Sequence, residues 1–186
     1  MALLEMRAAA YVRGGTSAPP VTLALNEGEK LALSCAGEDP ARATAMMAAG
    51  LLAPTSGTVF VAAFDPRIQP VQVKRIAGFV AHEAPPLDFS SFTRYAEYRA
   101  ALWGLPRAQS VVRARALLAK LQGVHEQFAY PLAGALLSAP RLLVLDRPLA
   151  AYAPQILRAA GSCAIFSTHA DPHEAERFEQ ACAAAV

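Results

Sequence analysis

Leu142–Asp146 reads Leu-Leu-Val-Leu-Asp, a run of large apolar residues with no polar alternation before its closing carboxylate. A strand with one wet face alternates apolar and polar side chains. An unbroken apolar run is buried on both faces, as a central strand of a parallel sheet is. Parallel strands cannot be joined by a hairpin, so helices must cross between them. Ala164–Ser167 is a shorter run of the same kind. Leu31–Ser34 is another apolar run, followed by a short loop, Cys35–Ala43 (CAGEDPARA), and an apolar helical stretch, Thr44–Leu52 (TAMMAAGLL). The alternation predicts an α/β chain with helices on both sides of a mostly parallel sheet.

The remaining segments fill in around that sheet. Met1–Arg13 and Val21–Leu25 read as strands, with Gly14–Pro20 (GGTSAPP) a loop by composition and Asn26–Lys30 a turn. Ala53–Gly57 is a tight turn before a β-branched strand, Thr58–Ala63, and Ile76–Ala81 is a further strand. Apolar spacing predicts helices over Phe92–Trp103 and Ala108–Leu121, parted by Gly104-Leu105-Pro106, and over Leu132–Leu137 and Asp171–Ala183. The stretch from about 88 to 137 is therefore a helical lobe beside the sheet.

At 186 residues the chain is read as a single domain, 1–186, long enough to bury one core. Hydrophobic residues make up 54% and charged residues only 17%, which suggests a covered face. A net charge of +2 gives no reason to expect nucleic-acid binding. No apolar run reaches the roughly 18 residues that span a bilayer. Met1–Arg13 carries Glu5 and Arg7 and lacks an apolar signal core, so a cytoplasmic location is expected. Cys35, Cys163 and Cys182 are odd in number and not grouped with histidines, which argues against a disulfide framework or a zinc site.

Several segments in order carry a family resemblance: NEGEKLAL, AAGLLAPTSGTVFV, RIAGFVAHE, YRAALWGLP, ALLSAPRLLVLDRPLA and IFSTHADPHEAERF. Together they resemble the ATP-binding subunits of ABC transporters over nearly the whole chain. The resemblance implies a P-loop NTPase-like three-layer core with a reduced helical lobe. It also implies ATP and Mg²⁺ as ligands, a membrane permease or a second ATP-binding subunit as partner, and a peripheral place at the inner face of a membrane through that partner.

Most residues that would do the chemistry are replaced. The working phosphate loop, G-x-x-x-x-G-K-[ST], wraps backbone N–H groups around phosphates and supplies a lysine and a Mg²⁺-binding hydroxyl. Counting back from Gly50, the lysine position falls on Ala41, the hydroxyl on Arg42, and the glycines on Cys35 and Pro40. Glu38 and Asp39 stand where an anion should be cradled. Shifted by one residue, Arg42 falls at the lysine position and Ala43 at the hydroxyl position, with Gly37 in the loop; even then the motif's glycines and the Mg²⁺ ligand are absent. Asp146 matches the aspartate that reaches Mg²⁺ through water, but Arg147 replaces the glutamate that polarises the attacking water. An arginine does not accept a proton at neutral pH. Paired to Asp146, it would also neutralise the carboxylate left for the metal. His169 matches the switch histidine, and His82 the position of the glutamine linking Mg²⁺ to the transmembrane partner. Tyr11 lies near the place of the aromatic that stacks on adenine. The signature loop has no match: the chain is shorter there, Gln122–Glu126 (QGVHE) is the nearest candidate, and Ala153 replaces an aspartate further on.

Core retained with chemistry lost is the pattern of a pseudo-enzyme, because fold and function are separable. The expectation is a structural or regulatory pseudo-ATPase in a membrane transport complex, alone or as a dimer, which binds ATP and Mg²⁺ weakly or binds neither. Two alternatives stay open. One is an ATP-binding subunit whose hydrolysis depends on a partner ATPase. The other is a soluble scaffold with no transport role.

Overall fold

The computed structural model describes residues 2–82 and 91–184. It contains two sheets. One is antiparallel, with order β2-β1-β4, built from β1 (Leu4–Arg13), β2 (Thr16–Leu25) and β4 (Ser56–Val61). The other is parallel, with order β3-β7-β6-β5, built from β3 (Lys30–Ser34), β5 (Ala77–Val80), β6 (Leu142–Asp146) and β7 (Ala164–His169). Every residue of β6 and β7 is buried, as the unbroken apolar runs require.

Two cores lie on opposite faces of the parallel sheet, and strand alternation assigns each side chain to one of them. Leu142, Val144, Ala164 and Phe166 join the core shared with the antiparallel sheet and with α1 (Glu38–Ala48). Leu143, Leu145 and Ile165 join the core on the helical side. That side is formed by α3 (Phe92–Leu102), α4 (Arg107–Lys120), α5 (Glu126–Leu136), α6 (Ala153–Ala160) and α7 (Pro172–Ala184). A short helix, α2 (Pro70–Ile76), leads into β5. Full burial of one such side chain contributes about 1.5–3 kcal/mol.

Helices α3, α4 and α5 fall within the stretch from about 88 to 137; residues 88–90 of that range, Glu83, and Met1 lie outside the described residues. Several boundaries differ from expectation; α5, expected over Leu132–Leu137, already begins at Glu126, and β4, expected over Thr58–Ala63, spans Ser56–Val61. The loop expected over Cys35–Ala43 is only three residues long, because α1 already begins at Glu38. Glu38 and Asp39 occupy its first turn, where carboxylates meet the positive end of the helix dipole. The loop expected over Gly14–Pro20 is mostly strand. Pro19 and Pro20 are tolerated because β2 is an edge strand, bonded only to β1. Finally, Pro70 opens α2, which the sequence reading passed over.

Candidate functional site

In an open parallel sheet, ligand sites form outside the carboxyl ends of the strands. Here β7 lies between β3 and β6. Ser34 pairs with His169, and Thr168 pairs with Asp146, so these residues share one edge of the sheet. The N-terminus of α1 rises from the same edge.

Three backbone hydrogen bonds shape the turn into α1. The Cys35 amide donates to the His169 carbonyl at 2.8 Å, and the Gly37 amide to the Cys35 carbonyl at 2.9 Å. Pro40 has no N–H. The Ala41 amide closes the first helical turn on the Gly37 carbonyl at 3.2 Å. Gly37 sits at φ 112°, a left-handed conformation that favours glycine, and it turns the chain from strand into helix.

Asp146 is 1% exposed and faces α1, on the same side of the sheet as Val144 and Thr168. Its Oδ1 accepts from Arg147 Nε at 3.0 Å. Arg147 NH1 lies 2.6 Å from Glu38 Oε2, so one guanidinium joins the end of β6 to the start of α1. Burial works against the Arg147 charge, but Asp146 and then Glu38 more than offset it and hold its pKa above the ordinary value. The Arg147 backbone is fixed as well. Its amide donates to the Thr168 carbonyl at 2.8 Å, and its own carbonyl lies 2.8 Å from His82 Nδ1. The His82 amide is 3.5 Å from Asp146 Oδ2.

His169 is turned the other way. It alternates with Thr168 along β7 and lies on the helical side, 2% exposed, with Nε2 3.0 Å from Ser167 Oγ and its ring 5.4 Å from that of Phe178. Burial pushes its pKa down to about 4, so it is neutral at physiological pH. Of the remaining candidates, Arg42 is exposed on α1 and Ala43 is buried beneath it. Tyr11 is half-buried in the antiparallel sheet opposite Ala18. The structure therefore gathers Asp146, His82, Glu38 and Arg147, and leaves His169, Tyr11 and Arg42 outside that group. Gln122–Glu126 forms the connection into α5, where the His125 side chain accepts from the Gln127 amide at 3.4 Å as a helix cap.

Thr44 and Thr168 were not singled out by the sequence. Both are fully buried. Thr168 Oγ1 has no hydrogen-bond partner, and Thr44 Oγ1 has only the weak thiol of Cys35 beside it. Burial holds that thiol above its ordinary pKa. A lone threonine on the otherwise apolar stretch TAMMAAGLL was the available signal.

ATP with Mg²⁺ can be tested against this edge. The Asp146 carboxylate is held by a guanidinium, the first turn of α1 carries two carboxylates, and Pro40 removes one amide donor from that turn. The residues do not fit a metal–triphosphate. Among the described residues, no group of three or more His, Cys, Asp and Glu side chains could hold a metal ion.

A second feature lies between α2 and α3, where a groove of about 400 Å³ is lined by Val71, Lys74, Arg75, Arg99, Leu102 and Trp103. Val71 and Leu102 are 56% and 59% exposed. Lys74, Arg75 and Arg99 make no ion pair among the described residues, and Arg99 Nε is buried without a hydrogen-bond partner. No described helix is long and apolar enough to cross a membrane.

No protein-family model matches the chain, and no curated protein matches its sequence. Solved structures do match its fold. An ATP-binding subunit of an ABC transporter superposes with a TM-score of 0.69 at 18% identity, covering 90% of this chain and 79% of that one. The cbiO1 protein of Clostridium perfringens, part of the ABC transporter complex cbiONQ, gives 0.68 at 19% identity, over 91% and 79% of the two chains. A dimeric bacterial ABC transporter cassette gives 0.73 at 14% identity, over 94% and 90%. The chain thus has the α/β fold of the ABC-transporter ATP-binding cassettes.

Proposed function

We propose that this chain is a non-hydrolysing subunit of the ATP-binding-cassette type, with a structural or regulatory role in a membrane transport complex. The observation that carries the reading is the Arg147 guanidinium, bonded to Asp146 and Glu38 at the edge where a metal and phosphates would have to enter. A subunit that neither binds nor splits ATP would contribute by docking, on a permease, on an ATPase-competent subunit of the same fold, or on both.

The basic apolar groove between α2 and α3 supports a docking role. Its exposed Val71 and Leu102 suit the apolar face of a helix, and its Lys74, Arg75 and Arg99, which make no ion pair among the described residues, suit carboxylates at that helix's rim. The matching partner segment is an acidic amphipathic helix in a cytoplasmic loop of a permease. Charge reversal at Lys74 and Arg75 is expected to release such a partner while leaving the fold intact, because both residues are exposed.

The first test is calorimetric titration of the purified chain with ATP and Mg²⁺, paired with an ATPase assay. No binding up to millimolar ATP and no turnover is the expected result. Turnover that disappears in Asp146→Asn refutes the proposal. Micromolar binding without turnover favours the reading in which a partner ATPase supplies hydrolysis, with Tyr11, Gly37, Arg42 and Ala43 as the nucleotide contacts and Asp146 as the metal ligand. Without a nucleotide or a membrane partner, the scaffold reading remains.

A further inference from the structure

We propose that Arg147 is a tethered cation standing where a divalent ion would otherwise bind Asp146, and that it ties the start of α1 to the strand ends without any ligand. The proposal rests on the reading above that no metal–nucleotide occupies this edge. Two carboxylates from different elements, Asp146 at the end of β6 and Glu38 at the start of α1, lie within hydrogen-bond distance of one guanidinium. Brought together without a cation, they would repel. Arg147 leaves the cluster one negative charge, whereas a divalent ion would leave none. Hard divalent ions take one or two carboxylates and complete their shell with water. Beside Asp146, and on the same face of the sheet, lies the buried unpartnered hydroxyl of Thr168, a further oxygen of the right kind.

The conformation of Arg147 points the same way. Its φ of 49° is unfavourable for a residue with a side chain, and such outliers persist only where surrounding contacts impose them. Here the contacts come from β7 through the Thr168 carbonyl, from the end of β5 through His82, and from α1 through Glu38. A single residue therefore ties together four elements around the crevice. A bound ion and its phosphate would otherwise have to bridge α1 to the strand ends. The chain is accordingly held in one arrangement, whatever the nucleotide supply.

The test uses the full chain and Mn²⁺ alone, without nucleotide, followed by electron paramagnetic resonance. Arg147→Gly removes the guanidinium and accepts the left-handed backbone. It is expected to bind one Mn²⁺ at least tenfold more tightly than the wild type. Adding Asp146→Asn should remove that gain. Exchange of the Ala41 amide, which closes the first turn of α1, should rise in Arg147→Gly and fall again with Mn²⁺. Unchanged Mn²⁺ affinity overturns the proposal, as does a gain that survives Asp146→Asn. Should Arg147→Gly fail to fold, Arg147→Gln keeps a neutral donor beside Asp146 and is held to the same criteria. ATP turnover by the wild type would overturn the functional reading alone, since the Mn²⁺ comparison contains no nucleotide.

Discussion

Lowering the pH should destabilise this protein through His169, by an amount the structure sets. The ring is 2% exposed against Phe178, and burial pushes its folded-state pKa down to about 4. An unfolded histidine titrates near 6.5. Between those values the unfolded chain binds a proton that the folded chain refuses, so stability falls as pH falls from about 6.5 toward 4. The full penalty below pH 4 is about 3 kcal/mol; at pH 5 it is about 2 kcal/mol, and at pH 7 it is close to zero. A domain of this size has roughly 5–15 kcal/mol in all, so the loss is large. Urea titrations at pH 7 and pH 5, on the wild type and on His169→Gln, isolate the effect, because the carboxylates titrate in both. With an m-value of about 2 kcal/mol/M, the wild-type midpoint should fall by about 1 M more than that of the variant. Parallel shifts in the two proteins would show that His169 is not held neutral inside the fold, and the reasoning would fail.

Other outcomes follow from the same contacts. Phe178→Ala should cost about 3–5 kcal/mol in urea unfolding, and by letting water reach His169 it should flatten the pH dependence just described. Arg147→Met should cost roughly 3–5 kcal/mol, because it strands the buried Asp146 carboxylate, and adding Asp146→Asn should recover most of it; Asp146→Asn alone should cost less, since Arg147 keeps Glu38. Glu38→Gln should cost less than about 1 kcal/mol, since Glu38 is 77% exposed; a loss equal to that of Arg147→Met would refute this ranking. Gly57→Ala should unfold the antiparallel sheet or shift its register, because Gly57 has φ 75° and an added Cβ would lie 2.1 Å from the Ala8 carbonyl oxygen; an unchanged melting temperature would contradict it.

The central strands were legible because burial on both faces leaves a direct mark, as in Leu142–Leu145. The start of α1 was not. Glu38-Asp39-Pro40 carries ordinary signals of a helix beginning, with acids in the first turn and a proline early, but the spacing of a phosphate loop suggested that those residues stay unwound. β2 was hidden by Pro19 and Pro20, which only an edge strand accommodates, and edge position is a property of the assembled sheet. At the site, the Arg147–Asp146 pair is local and was readable from adjacent residues. Its third member, Glu38, comes from a distant segment and becomes a neighbour only once β6 and α1 pack together. The orientation of His169 was available from the two-residue period of a strand, since Ile165, Ser167 and His169 must share a face.

The place of β7 between β3 and β6 also bears on how the chain comes to be folded. Lys30 pairs with Ile165, and Leu142 with Ala164, so β3 has no partner in its sheet until the last strand is made. Contacts so distant in sequence form slowly, because a long loop must close before they repay it. During synthesis, β3 therefore waits with an open edge while more than a hundred residues emerge before β7, a span on the order of ten seconds at typical elongation rates, whereas β6 waits only for the short stretch from Asp146 to Ala164. The edge that carries Asp146 and Arg147 is completed only when β7 slides into that gap. Quality control in the cell would meet this protein as an open half-sheet well before it met the finished subunit.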